Sequence, residues 1–151
     1  MSRAGPASAD RAWIAAHIPH AGTMCLLDAV LAWDAHTIHC RATSHHDPAN
    51  PLRAGGRLGA ACGVEYAAQA MAVHGALRAG AHAAPRAGFL TSVREVEFHT
   101  DRLDVAGPLD VHAECLADAG NHQMYAFHLE TAGQLLISGR ASVMLDADKS
   151  V

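Results

Sequence analysis

One acidic side chain stands alone in a long apolar stretch of this sequence. Between Leu58 and Leu77 the chain reads LGAACGVEYAAQAMAVHGAL, and Glu65 is its only formally charged residue. Gln69 follows four residues later, so a helix places the two side chains on one face. A helix that is apolar all round is normally buried, and removing a carboxylate from water favours its protonated, proton-donating form. The stretch therefore predicts acid–base chemistry at Glu65, with a purely structural carboxylate as the alternative.

The composition argues against several other classes of protein. The 151 residues are 50% hydrophobic and 17% charged, which is typical of one folded domain with a sizeable core. A net charge of -4 argues against a general nucleic-acid binder. The 12 histidines form neither an HExxH motif nor a zinc-finger spacing, so no metal site is predicted. The first residues lack an apolar leader and the cysteines form no CxxC pair, so we expect a reduced, cytoplasmic protein.

The apolar stretch is also long enough to be considered as a membrane span. It contains three glycines together with Glu65, Gln69 and His74, and the other segments are typical of a soluble sheet. We therefore expect no membrane span.

The flanking segments predict the elements that position this helix. Residues 1–9 are rich in Ala, Gly, Pro and Ser and are expected to be flexible, and residues 10–151 are expected to form one domain. Asp10 is a suitable cap for a short helix from Arg11 to His17. Alternating patterns predict strands, which we place at 29–33, 37–43, 95–99, 109–115, 125–130 and 135–143.

One long helix and about six strands, in the order β-β-α-β-β-β-β, indicate an α+β domain. Such a sheet buries a helix on one apolar face by curling around it, which predicts a curved antiparallel sheet. Its long edges need covering or pairing, so a dimer is physically reasonable.

Three segments of the chain form a recognisable series. They read IPHAGTMCLLDAV at 18–30, GVEYAAQA at 63–70 and GFLTSVREVEFHTDRLDVAGPLDV at 88–111. In this order they resemble the amino-terminal segment, the central-helix motif and the following strand pair of the hotdog-fold 3-hydroxyacyl-[acyl-carrier-protein] dehydratases. The resemblance covers residues 14–144 and is fullest for the divergent branch associated with aryl-polyene-type lipid pathways.

The resemblance implies a single-domain hotdog fold and dehydration of a 3-hydroxyacyl thioester, carried on an acyl carrier protein, to the trans-2-enoyl thioester. The substrate would be carried on phosphopantetheine, and no other cofactor is implied. The family acts as dimers, so a homodimer or higher homo-oligomer is expected, and a heterodimer stays open.

In that family a histidine in the loop before the helix acts with the helix glutamate of the opposite subunit. The family loop reads His-Phe-Pro-Gly, whereas residues 44–56 here read SHHDPANPLRAGG. His46 is therefore the candidate base, with His45 as the alternative, and Glu65 is the candidate acid.

Other residues are expected to support this pair. Gln69 would fix the carboxylate, and backbone N–H groups at the helix start, including those of Gly63 and Val64, would stabilise an enolate oxygen. His20 in the Pro-His segment is either structural or close to the site. A basic rim would help an acidic carrier protein to dock, and the candidates for it are Arg86, Arg94 and Arg102.

Two further functions stay open at this level. An acidic residue on the central helix of this fold can also activate water for thioester hydrolysis. The missing His-Phe-Pro-Gly loop is compatible with a non-catalytic partner subunit of a dehydratase complex. The Glu-x-x-x-Gln spacing and the preceding histidines favour elimination.

Overall fold

In the computed structural model, which describes residues 6–20, 22–80 and 88–145, a seven-stranded sheet wraps around one long helix. The helices are α1 (Arg11–His17) and α2 (Gly63–Ala79), and short 3-10 turns lie at Gly22–Met24, Ser44–His46 and Ala60–Cys62. The strands are β1 (Ala9–Asp10), β2 (Ala29–Trp33), β3 (Thr37–Ala42), β4 (Gly88–Phe98), β5 (Leu109–Asp118), β6 (His122–Thr131) and β7 (Gln134–Leu145).

The sheet is antiparallel throughout, and its strand order is β1-β2-β3-β5-β6-β7-β4. Helix α2 packs against β3, β5 and β6. This architecture confirms the predicted single α+β domain with a curved sheet around a central helix.

Strict alternation on the central strands builds the core under α2. On β5 the side chains of Leu109, Val111 and Ala113 are buried, and on β6 those of Phe127 and Leu129 are. Each fully buried large apolar side chain stabilises the fold by about 1.5–3 kcal/mol. The alternating residues of the same strands lie on the outer face of the sheet, away from α2.

The ends of both helices follow from local chemistry. The carboxylate of Asp10 accepts a hydrogen bond from the Trp13 N–H at 2.9 Å, which confirms the predicted cap of α1. Helix α2 ends at Ala79 and is capped by Gly80, whose φ of 95° suits glycine. At the other end of α2, a Cβ on Gly63 would lie 3.0 Å from Cγ2 of Ile137, so glycine permits close packing of the helix on the sheet.

Helix α2 begins five residues later than the apolar stretch suggests. The Leu58 carbonyl accepts from the Leu103 N–H at 2.8 Å, and the Ala60 N–H donates to the Asp101 carbonyl at 3.1 Å. Because these backbone groups pair with residues 101–103, residues 58–60 do not adopt the hydrogen-bond pattern of the helix. Along residues 6–20, 22–80 and 88–145, none of the helices combines the length and hydropathy that crossing a bilayer requires.

Strand β4 departs most from the predicted pattern. It begins at Gly88, and a register shift between Arg94 and Glu97, with Glu95 at a φ of 56°, interrupts its alternation. Phe98 is consequently 53% exposed rather than buried. The glycine- and alanine-rich sequence from Gly80 to Arg86 predicts a short linker, and all of it except Gly80 lies outside the described residues. Residues 1–5 of the predicted flexible terminus also lie outside them. Residues Ala9–Asp10 of β1 pair with Ala29 and Val30.

Candidate active site

The Pro-His segment and the central helix meet at Glu65. Its Oε2 atom lies 3.2 Å from Nε2 of His20 and accepts a hydrogen bond of 3.2 Å from Nε2 of Gln69. The Glu65 side chain is 33% exposed, so the carboxylate is less buried than the composition of the helix suggests. Within the described part of the chain, Nδ1 of His20 is buried and has no hydrogen-bond partner. The His20 ring therefore has one nitrogen at the carboxylate and a second one available.

Gln69 connects this pair to the preceding segment. Its Oε1 accepts from the Leu26 N–H at 2.9 Å, and its Nε2 also donates to the Met24 carbonyl at 2.7 Å. The side chain is fully buried. One amide thus attaches residues 24–26 to α2 and contacts the Glu65 carboxylate. The supporting role of Gln69 in catalysis stays a prediction.

A cavity of about 600 Å³ adjoins the carboxylate. Such a volume is within the range of small-molecule sites. Its walls come from the Pro-His segment, one side of α2, and strands β4 and β7, and they include His20, Glu65, Met71, Ala72, Phe89 and Val143. Small side chains on α2 and apolar ones on the strands make a largely apolar space beside a carboxylate.

The two histidines predicted as bases lie away from the Glu65 cavity of their own chain. Nε2 of His46 contacts the Val105 carbonyl at 2.6 Å, and Nε2 of His45 contacts the Gly107 carbonyl at 2.8 Å. Neither ring lines the Glu65 cavity within the described residues. Burial lowers the pKa of His45, which favours its neutral ring at pH 7.

The loop that carries these histidines is held by the central helix. The Tyr66 hydroxyl contacts Oγ of Ser44 at 2.8 Å and accepts from Nδ2 of Asn50 at 3.0 Å. Oγ of Ser44 also donates to the Leu26 carbonyl at 2.8 Å. The loop, the Pro-His segment and α2 therefore form one hydrogen-bonded unit, in which Tyr66 immediately follows Glu65 in sequence.

The expected donors at the start of α2 are not brought to the cavity. The Gly63 N–H bonds to the carbonyls of Ala60 and Ala61, so it is not free for an enolate oxygen. Val64 is half-buried and packs against the core. Neither residue lines the cavity within the described chain. The 3-10 turn before the helix explains this difference, because it consumes the first N–H of α2.

Sequence reasoning missed several residues that line the cavity, among them His17 and Arg78. His17 stacks on Trp13 with ring centroids 3.8 Å apart, a contact that their spacing on α1 could have indicated. Arg78, near the end of α2, lines the cavity and pairs with Asp118.

Of the arginines proposed for docking, Arg102 is bound by Asp104 through contacts of 2.8 and 2.6 Å, and Arg86 lies outside the described residues.

Several solved structures share this fold. A chain of the dehydratase heterocomplex ApeI:P from Xenorhabdus doucetiae is 23% identical, with a TM-score of 0.78 over 89% of this chain and 91% of that chain. A thioesterase from Haemophilus influenzae is 12% identical, with a TM-score of 0.60 over 83% of this chain and 82% of that one. A mutant thioesterase from Pseudomonas aeruginosa is 13% identical, with a TM-score of 0.56 over 79% and 80%.

The family match is more specific than these likenesses. Among curated proteins no match was found. A family model for ApeP-like proteins, described as ApeP dehydratase, matches residues 12–150. This match confirms the resemblance to hotdog-fold dehydratases that residues 18–30, 63–70 and 88–111 indicate. The chain belongs to the ApeP-like dehydratase family.

Proposed function

We propose that this chain dehydrates a 3-hydroxyacyl thioester, delivered by an acyl carrier protein, to the trans-2-enoyl thioester. The observation that carries the proposal is the Glu65 carboxylate in the wall of an apolar cavity, bound by Gln69 and in contact with His20. The carrier's phosphopantetheine arm would present the thioester to this cavity, and the reaction requires no further cofactor.

The reaction is a β-elimination with two proton transfers. A base removes the proton from the carbon next to the thioester carbonyl, and that electron pair forms the carbon–carbon double bond. The bond from the β-carbon to its hydroxyl breaks as Glu65 donates a proton, so the hydroxyl leaves as water. The base then holds one proton and Glu65 has lost one, and a transfer between them restores the starting state.

The proposed base is His46, with His45 as the alternative, contributed by a second subunit. Both rings contact carbonyl groups away from the Glu65 cavity of their own chain. An arrangement across two subunits is therefore required if either ring is to reach the substrate. His20 is assigned a positioning role, because its Nε2 lies 3.2 Å from Oε2 of Glu65.

The sheet offers a clear surface for this second subunit. Strand β4 is 11 residues long and forms an open edge, whereas β1 at the other edge has two residues. Phe89, Leu90, Val93 and Phe98 are all exposed on β4, at 38–56%. A long edge strand with exposed apolar side chains needs pairing or covering, and it is a ready template for a second chain. Because Phe89 and Leu90 also line the cavity, a subunit paired along β4 would complete its wall.

Either a second copy or a related dehydratase subunit satisfies this requirement. The similar chain from Xenorhabdus doucetiae belongs to a complex described as a dehydratase heterocomplex. We propose that this chain also acts in a complex of two subunits, in which the acid of one subunit faces the base of the other.

The decisive experiment compares two carrier-bound substrates of equal length, one with a β-hydroxyl group and one saturated. We expect the hydroxyacyl thioester to yield the enoyl product and the saturated thioester to stay intact. Glu65→Gln should lower the dehydration rate by about 10²- to 10⁴-fold, because the amide cannot donate the proton. Formation of the enoyl thioester and the circular dichroism spectrum together separate lost chemistry from lost folding.

Glu114→Gln is the matched control, since Glu114 is exposed on β5 and is not among the described residues that line the cavity. This variant should retain the wild-type rate. Full turnover by the Glu65→Gln protein would refute the acid assignment. Release of free thiol from the saturated substrate would instead identify a thioesterase.

A further inference from the structure

Three histidines form a row across the outer face of the sheet. His39 on β3 stands directly opposite His112 on β5, and His112 stands opposite His128 on β6. Their ring centroids are 4.2 and 4.5 Å apart, and the rings are close to parallel. The row lies on the face that does not pack against α2, because the alternating residues Val111 and Phe127 are buried beneath that helix.

Two carboxylates occupy the neighbouring row of the same face. Oδ1 of Asp110 lies 2.8 Å from Nε2 of His39 and so fixes that ring. Glu130 approaches the other two rings, with Oε1 3.4 Å from Nε2 of His112 and Oε2 3.8 Å from Nε2 of His128. The carboxylate of Glu130 is thus shared between two imidazoles.

One nitrogen in this group is left without a partner. Within the described part of the chain, Nε2 of His112 is buried and makes no hydrogen bond, although Glu130 is close. Buried polar atoms are nearly always satisfied, and each exception requires an explanation. In the neutral tautomer protonated at Nδ1, this nitrogen carries a lone pair. Together with a second imidazole and a carboxylate, it gives the donor set of a metal site.

We propose that His112, His128 and Glu130 bind a divalent transition-metal ion. Their ligand atoms all lie within 4.8 Å of one another. Bonds of about 2.0–2.2 Å to a tetrahedral zinc ion place ligand atoms roughly 3.4 Å apart. The contacts of Glu130 with the two rings, 3.4 Å from Oε1 and 3.8 Å from Oε2, are close to this separation. Because the two rings are close to parallel, binding also requires them to rotate so that both lone pairs point at one ion.

The chemistry of the ligands selects the class of ion. Two imidazoles and one carboxylate suit Zn²⁺, Ni²⁺ or Cu²⁺, whereas Mg²⁺ and Ca²⁺ prefer oxygen ligands alone. Three protein ligands leave a fourth position open. An ion bound by these three residues would link β5 to β6. It would lie on the face of the sheet opposite the proposed catalytic cavity, so this site does not depend on the dehydratase assignment.

The test uses the full chain without a histidine tag, treated with a chelator and titrated calorimetrically with ZnCl₂. We expect one saturable Zn²⁺ site per chain and a rise in the thermal unfolding midpoint with bound ion. Because second-shell changes alone cost about 10- to 100-fold in metal affinity, His112→Ala and His128→Ala should each weaken binding by at least about tenfold.

The matched control is His122→Ala, which removes an exposed histidine from the same strand as His128. This variant should bind Zn²⁺ as the wild type does. Glu130→Gln keeps the side-chain shape and tests the site even if a histidine variant fails to fold, and it too should weaken binding. The absence of a one-to-one site in the wild type, or unchanged affinity in His112→Ala and Glu130→Gln, would overturn the proposal.

Discussion

Imidazole and carboxylate groups meet on both faces of this one sheet, but in different surroundings. On the inner side, one imidazole and one carboxylate, His20 and Glu65, meet beside a cavity of about 600 Å³. On the outer side, the rings of His39, His112 and His128 are stacked in one row. The carboxylates that contact them lie in the neighbouring row of the same face. We therefore propose that the same side-chain chemistry serves proton transfer on one face and ion binding on the other.

The supporting elements explain this difference. Directly opposed residues on antiparallel strands hold their Cβ atoms about 4.5–5.5 Å apart, so side chains on the outer face stand side by side in contact. On the inner side, a helix and an irregular segment converge instead, and Gln69 joins them. This packing leaves room for a chain-like substrate next to the carboxylate.

The largest predicted effect tests whether the acid and the base on the inner side come from different subunits. His46→Ala should lower dehydration by about 10²- to 10⁴-fold, because it removes the proposed base. If acid and base come from opposite subunits, mixed and reassembled Glu65→Gln and His46→Ala proteins form dimers with one intact site. For a homodimer, random mixing should restore about one quarter of the wild-type rate.

The outer face provides the control for this experiment. His112→Ala should keep the wild-type dehydration rate, because that ring lies on the face opposite the cavity. A wild-type rate for His46→Ala alone would contradict the assignment of the base. The role would then pass to His45, to His20 or to a different partner subunit, and the corresponding single variants would identify which.

Gln69 is the residue on which the inner arrangement depends most for stability. Gln69→Ala leaves the Leu26 N–H and the Met24 carbonyl without their side-chain partner. Because an unsatisfied buried group costs about 1–3 kcal/mol, we expect the free energy of unfolding to fall by about 2–4 kcal/mol in urea denaturation. Gln134→Ala, at an exposed position of β7, should change it by less than about 0.5 kcal/mol. Equal stability of Gln69→Ala and wild type would contradict this role.

Local patterns predicted most of the fold because they act within one element. The alternation of β5 and β6, the Asp10 cap and the apolar character of α2 all depend on near neighbours in sequence. The start of α2 was not predictable in this way, since it depends on pairing of residues 58–60 with residues 101–103. The same limit applies to the bulge at Glu95.

The same distinction applies to the candidate site, where contacts within one element were predictable and contacts between elements were not. The contact between Glu65 and Gln69 follows from their helical spacing, which the sequence shows directly. Contact between His20 and Glu65 depends on the amide of Gln69 holding a segment more than forty residues earlier in the chain. The histidine row depends on the register of β3, β5 and β6, so no spacing motif could reveal it.

The smallest predicted effect on activity sharpens the role of His20. His20→Ala removes the ring that contacts the Glu65 carboxylate but leaves the acid itself in place, so the carboxylate loses one of its two positioning contacts. Since misplacement of a catalytic group by about 1 Å can cost 10²-fold, we expect kcat to fall by about 10- to 100-fold with little change in KM. His20→Gln places an amide N–H near the position of Nε2 and should restore part of kcat. A loss as large as that of Glu65→Gln, without rescue by glutamine, would instead make His20 the base, and the inner site would then be complete within one chain.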